Sequence, residues 1–212
     1  MTDKEFLNCL DIILNRDTRY NNKWPYNVGY YDGIFLTFDC WNLVKAIDWS
    51  HGSIANNWTV GSYAVYDPSA ALGDWTGRQI MDHCSCVSTD MSNILPGEFL
   101  LYEGDGHAGV YVGEGHVVEC TVSWGVNRVI LSDISKNGVR SFKDIKQGRW
   151  YQHGRLPFVI YEEPQPEPQP DPTNMWVALL LTICDTIKNF FANFGRSSKK
   201  DGNEENNEES SC

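Results

Sequence analysis

Apolar positions near the start of the chain recur every three to four residues. Phe6, Leu7, Leu10, Ile13 and Leu14 fall on one face of a helix spanning roughly residues 3 to 15. Thr2 followed by Glu5 has the form of a capping box that would start it. Residues 20 to 33 are crowded with Asn, Gly, Tyr and Pro and read as a structured loop. Phe38 to Ile47 (FDCWNLVKAI) returns to helical spacing, with Asp39 as its cap. From Asp48 to Pro96 short apolar clusters alternate with glycines, a pattern of helix and loop.

After Pro96 the period shortens. Segments 98–103, 107–112, 116–122 and 127–131 are rich in Val, Leu, Ile and Tyr and are separated by glycine-containing turns, as in an antiparallel meander. LPFVIY at 156–161 reads as a last strand. The alternating prolines of EEPQPEPQPDP then favour an extended spacer. The expected organisation is an α+β domain over 1–161, a proline-rich linker over 162–173, an amphipathic helix over 174–194 and a disordered acidic tail over 195–212. In that helix Trp176, Leu180, Ile183, Ile187, Phe190, Phe191 and Phe194 share a stripe, but Asp185 and Lys188 leave too short an uncharged run for a membrane span. Self-association or docking on the preceding domain would cover the stripe, and membrane-surface contact through residues 175–194 is the other reading.

Charge narrows the partners. With 28 acidic and 17 basic residues the formal net charge is -11. No basic stripe is present to neutralise phosphates, so no nucleic-acid partner is expected. Acidic residues stand in MTDKEFLNCLDIILNRD where a secretory leader carries positive charge, which points to synthesis in the cytoplasm without a classical signal peptide. The seven cysteines show no zinc-ligand spacing and read mostly as free thiols. Cys84 and Cys86 beside His83 lack a second pair of ligands, so no metal is assigned.

A thiol nucleophile needs a depressed pKa and a base, and a helix N-terminus helps with the first. Cys40 stands where the second helix should begin. His107 opens a strand directly after the Gly104-Asp105-Gly106 turn. If the following turn is centred on Glu114, residue 109 faces residue 119, and His107 and Glu119 become diagonal neighbours on one face. A carboxylate there could fix the imidazole tautomer and stabilise its cation, giving a Cys-His-Glu triad. His116, beside the hairpin turn, is the reserve candidate; His51, His83 and His153 lack comparable context. Aromatic residues at 24, 41, 49, 58, 75 and 124 could line a glycan groove, although core packing is their more usual work.

These segments resemble the NlpC/P60 cysteine peptidases and amidases. FDCWNLVKA is similar to that family's nucleophile helix, and PGEFLLYEGDGHAGVYVGEGHVVEC to its two central strands, with Glu119 twelve positions after His107 as the family's third polar residue is. The resemblance spans about residues 24 to 125. It implies a papain-like core, with a helix carrying the cysteine packed on an antiparallel sheet carrying the histidine, no cofactor, and hydrolysis of peptide or amide bonds in peptidoglycan at the bacterial wall. It also implies a role for Tyr26 in the substrate or oxyanion region, where Asp39 and Trp41 would also lie. Trp41 and Asn42 depart from the usual Ser-Gly, and Glu119 resembles the related CHAP amidases. Absence of a leader together with the linker and appendage resembles phage or prophage endolysins. Open alternatives are an N-acetylmuramoyl-L-alanine amidase, and a non-catalytic wall-binding or phage structural module on the same fold.

Overall fold

A computed structural model describes residues 1–24, 28–123, 125–134 and 150–162, together with Ile183, Ile187 and Lys188. The chain divides into two compact units, Met1–Glu162 and Glu163–Cys212. The proline-rich spacer and most of the amphipathic stripe lie outside the described residues. Ile183, Ile187 and Lys188 are helical, and both isoleucines are exposed.

The first unit opens with α1 (Asp3–Leu14). Its capping box forms as the sequence predicts: Glu5 N–H donates to Thr2 Oγ1 at 3.2 Å and Thr2 N–H to Glu5 Oε2 at 2.8 Å. Phe6, Leu10 and Ile13 are fully buried on its inner face. Three short strands follow in a small sheet of order β1-β3-β2: β1 (Thr18–Tyr20), β2 (Val28–Tyr31) and β3 (Leu36–Phe38). Next come α2 (Asn42–Trp49) and α3 (Gly77–Asp82). A six-stranded antiparallel sheet of order β4-β9-β5-β6-β7-β8 completes the unit. Its strands are β4 (Ser85–Ser88), β5 (Phe99–Tyr102), β6 (Ala108–Gly113), β7 (His116–Thr121), β8 (Arg128–Asp133) and β9 (Trp150–Arg155).

Strand alternation sorts the sheet's two faces. Phe99, Leu101, Ala108, Val110, Val118 and Cys120 join the inner faces of the three helices in the main core. Leu100, Tyr102, Val117 and Trp150 form a second, smaller cluster. Both faces of β5 are therefore covered, and all four of its residues are buried. This explains why FLLY reads as a continuous apolar run instead of an alternating one.

The four meander strands stand within two residues of their expected bounds. Elsewhere the structure differs. The stretch read as a loop over 20–33 contains β2, whose ladder to β3 is broken by a shift between Val28 and Tyr30 and so has no clean period of two. Phe38 ends a strand, and the second helix begins at Asn42 and not at Phe38. Asp82 to Ser88 pass from helix into edge strand β4, which the sequence left within helix and loop.

The last strand is the polar WYQHGR, and LPFVIY is not a strand of the sheet. Pro157 has no N–H to give a ladder, and the segment instead runs against the N-terminal helix, with Phe158 on Phe6 and Leu156 and Val159 in the core. Ile160 bridges Thr2, Asp3 N–H donates to Ile160 O at 3.0 Å, and the Phe158 ring stands edge-on to Phe6 at 5.4 Å. Both ends of the unit are thus tied by one buried ring. Phe6→Ala should lower the unfolding free energy by about 3–5 kcal/mol. A urea titration of the full chain, with an unchanged slope and a lower midpoint, checks this.

Candidate active site

The segment Phe38–Asn42 is a strand-to-helix corner. Asp39 Oδ1 accepts from the Asn42 N–H at 2.7 Å, and Asn42 Nδ2 donates to the other carboxylate oxygen. Asp39 thus caps α2, as the sequence predicts, and leaves Cys40 on the corner itself. The cysteine is only 4% exposed. Backbone N–H groups of Ala108, Trp41 and Cys40 lie against its sulfur. Ala108 directly follows His107, so the backbone beside the Cys40 sulfur is that of the turn end of the β5–β6 hairpin, which carries the base candidate.

His107 arrives there through the turn Gly104-Asp105-Gly106. Gly104 and Asp105 both take left-handed φ, +83° and +58°, which glycine and aspartate tolerate best. The turn closes with Tyr102 N–H donating to His107 O at 2.9 Å. A side-chain network missed by the sequence reading pins it from outside. Tyr151 Oη donates to Asp105 Oδ1 at 2.8 Å, and Arg78 Nη1 donates to that hydroxyl, also at 2.8 Å. Arg78 Nη2 reaches Gln152 Oε1 at 2.6 Å. Tyr151, Gln152 and Arg78 lie 26 to 48 residues from the turn, and no local pattern links them to it.

Val110 pairs with Val118, the register that places residue 109 opposite residue 119. The consequence expected from the sequence follows: His107 Nε2 donates to Glu119 Oε2 at 2.5 Å. Both side chains are 3% exposed. Nε2–H is then the ring's donor and Nδ1 carries the lone pair. Tyr102 stands edge-on to the imidazole at 6.2 Å, and Trp150 covers it at 5.5 Å.

A cleft of about 480 Å³ opens over Cys40. Trp24, Trp41 and Trp75 line it, with Tyr20, Asp74 and Lys45. Three of the six aromatic candidates therefore converge at the cysteine. Trp49 instead packs in the core and donates its Nε1–H to Leu72 O at 2.8 Å, and Trp58 packs against Tyr31. Position 124 and Tyr26 lie outside the described residues. Trp41 leans on Gly77, where an added Cβ would come within 3.1 Å of its ring. The indole thus forms a wall of the cleft and does not fill it. Lys45, buried beneath, gives its charge to Asp74 at 2.6 Å.

Other histidines are placed elsewhere. His116 lines a separate groove with Leu7, Leu14 and Pro96. His51 pairs with Asp67, and His83 stacks on Trp75. His153 forms a second buried pair with Glu98, but its other nitrogen is bonded to Asp90 O, so neither nitrogen is left to serve a nucleophile. Cys84 and Cys86 are free thiols, and among the described residues no group of three His, Cys, Asp or Glu could hold a metal ion.

Burial, reinforced by the neighbouring Asp39 carboxylate, pushes the Cys40 thiol up to about 12. The thiol cannot ionise alone at neutral pH. A thiol held up in this way becomes nucleophilic only where a neighbouring base can take its proton.

No family model matches the sequence, and no curated protein matches it. Solved structures similar to the chain include NlpC2 from Trichomonas vaginalis, at 20% identity over 72% of this chain and 47% of that one, TM-score 0.39. RipB, a peptidoglycan hydrolase of Mycobacterium tuberculosis, is 14% identical over 74% of this chain and 65% of its own, TM-score 0.42. The P60 domain of an M. avium subspecies paratuberculosis antigen is 14% identical over 72% and 93%, TM-score 0.42. This chain spans about half the length of the Trichomonas protein.

Two measurements follow from the site. Iodoacetamide at pH 7 should label Cys40 at a rate that falls at least about tenfold in His107→Ala, with the rate at exposed Cys86 unchanged, as read by peptide mass spectrometry. Burial also raises Cys84 to about 12 and Cys120 well above its ordinary value. The folded state therefore keeps protons that the unfolded chain loses near pH 9. This stability is whole below that pH and falls above it by about 1.4 kcal/mol per pH unit per thiol. Urea midpoints between pH 7 and 10 should drop accordingly, less steeply in Cys84→Ser.

Proposed function

We propose that this protein is a cysteine hydrolase of peptidoglycan, cutting a peptide or amide bond of the stem peptide through Cys40, His107 and Glu119. The observation that carries the reading is the buried His107–Glu119 hydrogen bond beside a cysteine at a helix start, under an aromatic-lined cleft. A buried pair of this kind is costly to build for packing alone, where two apolar residues would serve as well.

In the mechanism, His107 Nδ1 takes the Cys40 proton as the thiolate attacks the scissile carbonyl. The imidazolium keeps its Nε2–H on Glu119, which stabilises the cation and fixes the ring. Backbone N–H groups at the corner before α2 face the developing oxyanion. His107 then protonates the departing amine, leaving a thioester on Cys40. Water gives a proton to His107, adds to the thioester, and releases the acid and the free thiol. Trp41, with Asn42 beside it, narrows the cleft next to the sulfur and sets substrate preference. The family resemblance gives Tyr26 a role in the substrate or oxyanion region.

The expected place of action is the bacterial wall, in an endolysin of phage or prophage origin, with residues 1–161 as the hydrolase and residues 175–194 engaging a second copy or a membrane surface. Digestion of purified sacculi by wild type and Cys40→Ala tests the activity. New termini in the wild-type digest alone, identified by mass spectrometry, are expected, and their chemistry separates endopeptidase from amidase. No release from walls of several bacterial types would replace this reading with a wall-binding module.

A further inference from the structure

The imidazole of His107 is enclosed by more than the carboxylate. Trp150, the first residue of β9, places its indole 5.5 Å from the imidazole at an interplanar angle of 31°, and Tyr102 stands edge-on to both rings. β9 is separated from β6 by β5, so its side chain has to cross about two strand spacings, roughly 9–10 Å, to reach His107. An indole has that reach. Gly109 keeps its path open: an added Cβ there would stand 3.1 Å from Trp150 Cη2 and 2.7 Å from Val117 Cγ1.

The indole is placed at a cost. Trp150 is 5% exposed, and its Nε1–H is buried with no acceptor among the described residues. Burial without a partner disfavours tryptophan at a site of packing alone, where an aliphatic side chain would leave no donor stranded. What the indole supplies and an aliphatic residue does not is a broad, electron-rich face over a ring that must become a cation. It also covers the His107–Glu119 bond, whose strength depends on water being kept away.

We propose that Trp150 is a positioning residue of the centre, holding the His107 ring in the plane that meets Glu119 and favouring the imidazolium over the neutral imidazole. The proposal rests on the reading of His107 as the base for Cys40. Titratable groups around the centre are Asp39 and Cys40 before α2, Tyr102 on β5, and Glu119 and Cys120 on β7. Trp150 adds no charge to this set, so its effect has to appear through the ring of His107.

Two readouts on the full chain test it: the titration of His107 by NMR, and the pH dependence of Cys40 alkylation by iodoacetamide. Trp150→Leu should lower the pH at which His107 loses its cation by about half a unit and slow alkylation at pH 7 roughly threefold. Trp150→Phe, which keeps a ring face but loses reach, should fall between. An unmoved His107 titration in folded Trp150→Leu overturns the proposal; if that variant does not fold, an unmoved titration in Trp150→Phe does so. A Cys40 that is inert in the wild type would sink the nucleophile reading separately, because the NMR titration decides the role of Trp150 without it.

Discussion

An imidazole and a carboxylate buried together must be bonded to each other, and that requirement sets the architecture around them. Glu119 and His107 are both 3% exposed, in a place where water cannot solvate either charge. Their bond forms only if the β6–β7 hairpin holds its register, because a slip of one residue would turn Glu119 to the opposite face. The hairpin turn is built for that. Gly113, Glu114 and Gly115 take left-handed φ in succession, +97°, +52° and +78°, and the flanking glycines accept a conformation that larger residues resist. Along the rest of the hairpin, β7 is locked to β8 through six consecutive pairs.

The same burial explains the nucleophile candidate's dependence on its partner. Cys40 is held by a corner whose cap, Asp39, is also a negative charge beside the sulfur, and both this charge and desolvation work against a thiolate. Backbone N–H groups oppose them only in part. On the proposed reading the base comes from the adjoining turn 104–106, which is braced by Tyr151, Arg78 and Gln152, with Trp150 against the imidazole. Two distant parts of the chain, the α3 region and β9, contact the turn and ring of a histidine to which neither is linked by sequence.

Much of this was legible locally. The capping box of α1, the meander strands, the hairpin register and the His107–Glu119 pair all rest on short-range periodicity and turn chemistry, which act within about a dozen residues and leave clear marks. The small β1-β3-β2 sheet was not legible, because its strands are three or four residues long, the β2–β3 ladder is broken by a register shift, and β1 finds its partner β3 eighteen residues further on. The misplacement of the last strand has a related cause. LPFVIY is apolar enough to form a strand, but its burial is against α1, at the other end of the unit, and the polar WYQHGR takes the ladder because the sheet supplies it with partners on both sides.

By itself, then, the sequence determined the α+β class, the helix that follows Cys40 and the pairing of His107 with Glu119. These depend on the periods of helix and strand and on turns that glycine makes possible. Only the tertiary structure decided which aromatics meet over Cys40 and which fill the core. It alone showed that the equally buried His153 has both nitrogens bonded, and it alone brought Trp150 and the Arg78–Tyr151–Asp105 brace to the His107 turn. Those choices depend on which strands become neighbours, a long-range outcome of packing one sheet against three helices that no single stretch of chain encodes.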